Sequence, residues 1–148
     1  MEDAMRDTGL FIPALKPLYD RLGRFSYPFI RFVVGLAMMP HGWAKFTVPK
    51  TQQGVTALMG KLGFHPAAVF FWFIAGLELF GGAMLALGLL TRLIALMLTV
   101  ELIVIIFDVF IPNGRAIDGV LMWAFVIFAF AWGGGGRYSL DRLIGREV

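Results

Sequence analysis

The residues best suited to chemistry in this sequence lie where charge is costly. MMPHGWAKF, residues 38–46, places His41, Trp43 and Lys45 at the end of an apolar run, with Arg31 upstream in the same run. Glu78 stands in the middle of a second apolar run and Glu101 in the middle of a third, while Asp108 and Asp118 lie nearer the ends. On insertion scales a charged group at the centre of a bilayer costs roughly 2.5–3.5 kcal/mol, so such groups face a bundle interior. His41 is a base with a tunable pKa, Glu78 a carboxyl relay or partner for it, and Arg31 or Lys45 a cation able to polarise a carbonyl. The set predicts a polar site inside a helix bundle, with His41 and Glu78 as proton-handling groups and Arg31, Lys45, Glu101, Trp72 and Arg92 as binding groups. A plainer alternative stays open, in which Arg31 with Glu78 or Glu101 is a buried ion pair that only fixes helix register.

The elements that must position these residues follow from composition. Of 148 residues, 59% are hydrophobic and 16% charged, against ~45–50% and ~25% in soluble domains. The excess apolar surface calls for a bilayer. Four segments reach the ~20 apolar residues a span needs: 27–46, 68–90, 92–111 and 117–135. Each is expected to be helical, because lipid offers no partner to an open backbone. The fold class is therefore an all-α integral membrane protein, a four-helix transmembrane bundle over 27–136. An amphipathic interfacial segment, 1–26, precedes it and a basic tail, 137–148, follows. Lysines and arginines are denser on the side of the N-terminal segment, Arg92 and the tail, which puts both termini in the cytoplasm. QQGVTALMGKLGF, in the first loop, reads as a short amphipathic helix. In GLLTR, Gly88 suits a C-cap, and Thr91 is able to cap the next helix.

Helical spacing sorts the faces at 100° per residue. Arg31, Met38, Gly42 and Lys45 share a stripe, with His41 at its margin. Glu78 shares one with Phe71, Ala75, Gly82 and Leu85; Glu101 with Ile94, Met97, Ile105 and Asp108. In the fourth span, Asp118, Met122, Phe125, Ala129 and Trp132 form the expected inner face. The glycines Gly76, Gly81, Gly82 and Gly88 suit close helix packing. The chain has no cysteine, which excludes disulfides and thiolate metal sites, and its two histidines have no metal-site spacing. The net charge of +3 is dispersed, so no nucleic-acid face is expected.

Several patterns in order, namely Arg31 to Gly35, HGWAKF, GLELFGGAMLALGLLTR and GGGGRYSLD, make residues 27 to 141 resemble the DoxX family of small bacterial four-helix membrane proteins. The residues that carry the resemblance include Arg31, His41, Gly42, Lys45, Glu78 and Arg92. It implies a multi-pass protein of the bacterial inner (cytoplasmic) membrane with a quinone-related or redox-accessory role, linked to oxidative stress. As a quinone-binding subunit of an oxidoreductase, the chain would need an electron-carrying partner subunit, since no side chain here carries electrons. Expected partners are the lipid bilayer, a redox subunit or a second copy, and a small apolar molecule. Two other readings remain: a proton-coupled transporter built on central carboxylates, and a scaffold that recruits a soluble redox enzyme.

Overall fold

The computed structural model describes residues 11–145, which are helical throughout apart from turns. After a single tight turn, Pro13–Leu15, come α1 (Lys16–Thr47), α2 (Pro49–Lys61), α3 (Ala67–Leu87), α4 (Thr91–Phe110), α5 (Asp118–Gly133) and the short α6 (Leu140–Ile144). Helices α3 and α4 are long and apolar enough to cross a membrane; α5 is apolar but shorter. At 1.5 Å per residue its 16 residues span about 24 Å. Gly134, its C-cap at positive φ, ends it before the expected limit at 135. Helix α1 extends well before residue 27. Its first turns, 16–26, are exposed and carry Leu18, Leu22 and Phe25 beside Lys16, Arg21 and Arg24. The expected amphipathic entry segment is therefore continuous with the first apolar helix over its described part; residues 1–10 lie outside the described residues.

The polarity of the bundle runs from charged inside to apolar outside. Phe29, Val33, Phe80, Leu96, Phe107 and Trp132 are exposed, whereas Arg31, Glu78, Thr91 and Asp141 are buried. Such an arrangement is stable only where the surrounding solvent is apolar. The core gathers Val34 and Met38 of α1, Leu77 and Leu85 of α3, Ile94 and Leu98 of α4, and Ile127 and Phe130 of α5. Helix α1 packs on α3, α4 on α5, and α2 folds back onto α3 and α1.

Packing of α1 on α3 is backbone against backbone. A Cβ at Gly35 would lie 2.5 Å from the Gly82 carbonyl oxygen, and one at Gly42 would lie 2.8 Å from Leu79 Cα. Small residues let membrane helices approach this closely, and the tight packing replaces the hydrophobic drive that lipid removes. The expected stripes of α1 and α3 are buried except for part-buried Lys45. Gly42→Ala is expected to force the helices apart and cost on the order of 1–3 kcal/mol, read as a lower unfolding temperature in detergent. Gly54→Ala, where an added Cβ meets nothing, should leave it unchanged. Equal behaviour of the two variants would refute this crossing.

The α5 stripe needs correction. Met122, Phe125 and Trp132 are exposed, and Ala124, Ile127 and Phe130 face the core instead. Asp118 was the wrong anchor, because it lies exposed at the helix N-terminus. The rest of the helix is apolar on every side, so spacing alone favours no face.

At one end of the bundle, long polar side chains close the helix termini. The last carbonyls of a helix have no partner within it. Arg31 Nη1 donates to the carbonyls of Leu85 (2.6 Å) and Ala86 (3.1 Å) at the end of α3, and Nη2 donates to the Tyr138 carbonyl at 2.7 Å. Arg92 Nη1 donates to the Trp132 carbonyl at the end of α5, at 2.8 Å. Asp141 accepts from the backbone N–H of Leu90 (2.7 Å) and Thr91 (2.9 Å) and from the Thr91 hydroxyl (2.8 Å), so it caps the start of α4. Thr91 does not cap its own helix; its hydroxyl is a donor to the true cap. Gly88, left-handed at φ 73°, allows the turn as expected. It is also a space requirement, since a Cβ there would meet Arg31 Cζ and Ser139 Cβ, each at 2.6 Å. Segment 138–141, expected as part of a basic tail, is docked, with Ser139 and Asp141 buried.

Candidate functional site

Three of the ionisable residues singled out in the sequence meet at one place. Lys45, near the end of α1, forms an ion pair with Glu78 of α3, and both side chains are about nine-tenths buried. Glu101 of α4 lies within electrostatic reach of both Glu78 and Lys45, so two carboxyl groups meet one ammonium. Glu78 sits in a five-residue π-helical turn, Leu77–Gly81, that interrupts α3. Such turns insert a residue into the helix and recur at functional sites. Here the wider turn buries Leu77, Glu78 and Gly81 together.

This cluster borders a cavity of about 390 Å³ between α2, α3 and α4. The walls are apolar: Leu58 and Met59 from α2, Phe64 from the following loop, Phe73 and Leu77 from α3, Met97 and Val100 from α4. Lys45 and Glu101 are the ionisable residues of the lining, and Glu78 stands behind them. Among the described residues, Glu101 Oε1 is buried with no hydrogen-bond partner. A buried oxygen without a donor is expensive, and here it belongs to a side chain that lines a cavity large enough for a small molecule.

The other expected site residues lie elsewhere. His41 is exposed on α1, and Lys45, one turn later, takes the place beside Glu78 that His41 was expected to fill. His41 sat at the margin of the buried stripe, and the helix turns it outward. Arg31 does not meet either glutamate; its partners are the carbonyls described above. Arg92 is likewise spent on a helix end. Trp72 is exposed, and packs against Phe46 and Phe71 with ring centroids 5.4 and 4.9 Å apart. Asp108 is exposed in a second π-helical turn, Ile106–Phe110. Sequence reasoning missed the α2 wall of the cavity and the capping role of Asp141. The spaced apolar residues of α2 hinted at the first. The second had no local signal, because the groups it caps are 50 and 51 residues away.

Comparison with known proteins bears on this geometry. The family profile of DoxX matches residues 28–111, which includes Lys45, Glu78 and Glu101. The chain belongs to the DoxX family. It is also 30% identical to the uncharacterized membrane protein Rv3486 of Mycobacterium tuberculosis, in an alignment that covers 97% of this chain and 96% of that protein. No solved structure matches the chain. As a DoxX membrane protein, the chain has bilayer around its outward apolar faces.

Proposed function

We propose that this DoxX protein is a four-span protein of the bacterial inner membrane, both termini cytoplasmic, that binds a quinone-like molecule in the α2–α3–α4 cavity. On this reading it serves as a quinone-binding or redox-accessory subunit of a membrane oxidoreductase. The observation that carries the proposal is the cavity itself: apolar walls with one ammonium and one carboxyl at a single end. A quinone head offers two carbonyl oxygens and, when reduced, two hydroxyls. It needs an apolar slot, a donor and a proton-exchanging acceptor. Lys45 supplies the donor. Glu101 supplies the acceptor, and its unpartnered Oε1 would gain a partner from a hydroxyl. Glu78 holds the Lys45 ammonium in place. The quinone, when bound, supplies the two-electron chemistry, with electrons delivered by a partner redox subunit. Aromatic and aliphatic walls exclude water, which strengthens each polar contact at the head.

The test is co-purification. Protein extracted from native membranes in mild detergent should retain a quinone detectable by mass spectrometry. Glu101→Gln should lose most of it, and Trp72→Ala, outside the cavity, should keep it. Wild-type protein with no bound quinone, and no saturable uptake of added decylubiquinone, would end this reading.

A further inference from the structure

A cleft opens at the capped end of the bundle, away from the Lys45–Glu78–Glu101 cluster. We propose that it binds the phosphate head of an anionic phospholipid. A cleft of about 490 Å³ is lined by Tyr19, Asp20, Arg24 and Tyr27 of α1 and by Arg137 of the segment after α5. Two guanidinium groups, from positions far apart in the chain, thus converge on one opening. Neither is paired with a carboxylate among the described residues. Arg24 is positioned by a hydrogen bond from Nε to the Asp20 carbonyl at 3.1 Å. The Tyr27 hydroxyl ties the two walls together by donating to the Gly134 carbonyl at 2.7 Å.

An apolar groove of about 400 Å³ adjoins this cleft and shares Pro28 with it. Its lining includes Phe25, Phe29, Phe32 and Tyr138, with Phe25 stacked on Tyr138 at 5.2 Å between ring centroids. Along α1 the polar positions 20, 24 and 27 form one stripe and the phenylalanines 25, 29 and 32 another, each at i+3 and i+4 spacings, with Pro28 between the two. The two grooves therefore offer a cationic seat for a head group beside an aromatic track for an acyl chain. Free phosphate has a use for the first and none for the second. Planar guanidinium groups match phosphate oxygens in geometry, and basic pockets between helices at the membrane surface bind anionic heads. Asp20, at the rim, opposes the anion and sets a limit on affinity.

The full chain in detergent, titrated with phosphatidylglycerol or phosphatidylcholine and read by native mass spectrometry, tests this. Wild type should retain phosphatidylglycerol about thirtyfold more tightly, given two basic contacts. Arg24→Gln with Arg137→Gln should abolish that preference, Asp20→Asn should increase it, and Arg115→Gln, in the turn between α4 and α5, should leave it intact. Equal retention of the two lipids by wild type, or an unchanged preference in the double variant, would overturn the proposal. So would displacement of the lipid by millimolar inorganic phosphate, which would assign the cleft to the free ion. Thermal unfolding of each variant without added lipid separates loss of binding from loss of fold.

Discussion

Arg31→Ala should destabilise the protein by on the order of 3–5 kcal/mol, because it removes three charge-assisted hydrogen bonds from a buried site. Arg31 is only 2% exposed, so no water stands ready to take over the carbonyls of Leu85, Ala86 and Tyr138. Arg31→Lys should recover a minor part of the loss. An ammonium is a point charge on a flexible stem and cannot fork across two helix-end carbonyls and a third one on another segment. The defect should be local before it is global. Segment 138–141 loses one of its anchors, so trypsin should cut after Arg137 or Arg142 sooner in the variant than in wild type, at temperatures where the long helices remain folded. Wild-type stability and wild-type digestion in Arg31→Ala would show that the cap does not hold this end.

Lys45→Met is the second large effect. It leaves the Glu78 carboxylate beside Glu101 with no cation, and stranding one member of a buried pair costs about 3–5 kcal/mol. Adding Glu78→Gln to the same chain removes the stranded charge and should restore most of that stability, since a buried pair replaced by neutral groups is often close to neutral overall. The cycle has a distinctive outcome: the double variant is more stable than the Lys45→Met single variant, and on the proposed quinone-binding reading it still retains no quinone, because the donor at the cavity is gone. Additive losses of stability in the double variant would mean that the two residues act independently, contrary to their ion pair.

The parts of this architecture that could be read from sequence are those set by short-range periodicity. The faces of α1 and α3 follow from residues seven or fewer apart, and Arg31, Met38 and Gly42, or Phe71, Ala75, Glu78, Gly82 and Leu85, are buried together. The inner location of Glu78 followed from the same argument. What the sequence hid depends on partners far along the chain. Arg31 carries the same charge whether it meets a carboxylate or three carbonyls, and the carbonyls it meets are 54, 55 and 107 residues away. The choice of Lys45 over His41 beside Glu78 rests on about one helical turn, a difference that amphipathic spacing resolves poorly at the edge of a stripe. In α5, uniform apolarity left no pattern from which Ala124 and Ile127 could be told from Met122 and Phe125.

The closure of Arg31 by Tyr138 also has a consequence for how the protein is made. A ribosome adding about 5–20 residues per second needs roughly 5–20 s to travel the 107 residues that separate the two. Throughout that interval the guanidinium has been translated and its last acceptor has not. Its first two acceptors, the carbonyls of Leu85 and Ala86, are made about halfway through that interval, and the third completes the set only when segment 138–141 folds back. Insertion of this chain is thus not a sequence of finished helices laid down one by one. An early helix is locked by a late segment, and a chain halted before Tyr138 leaves Arg31 short of one of its three acceptors.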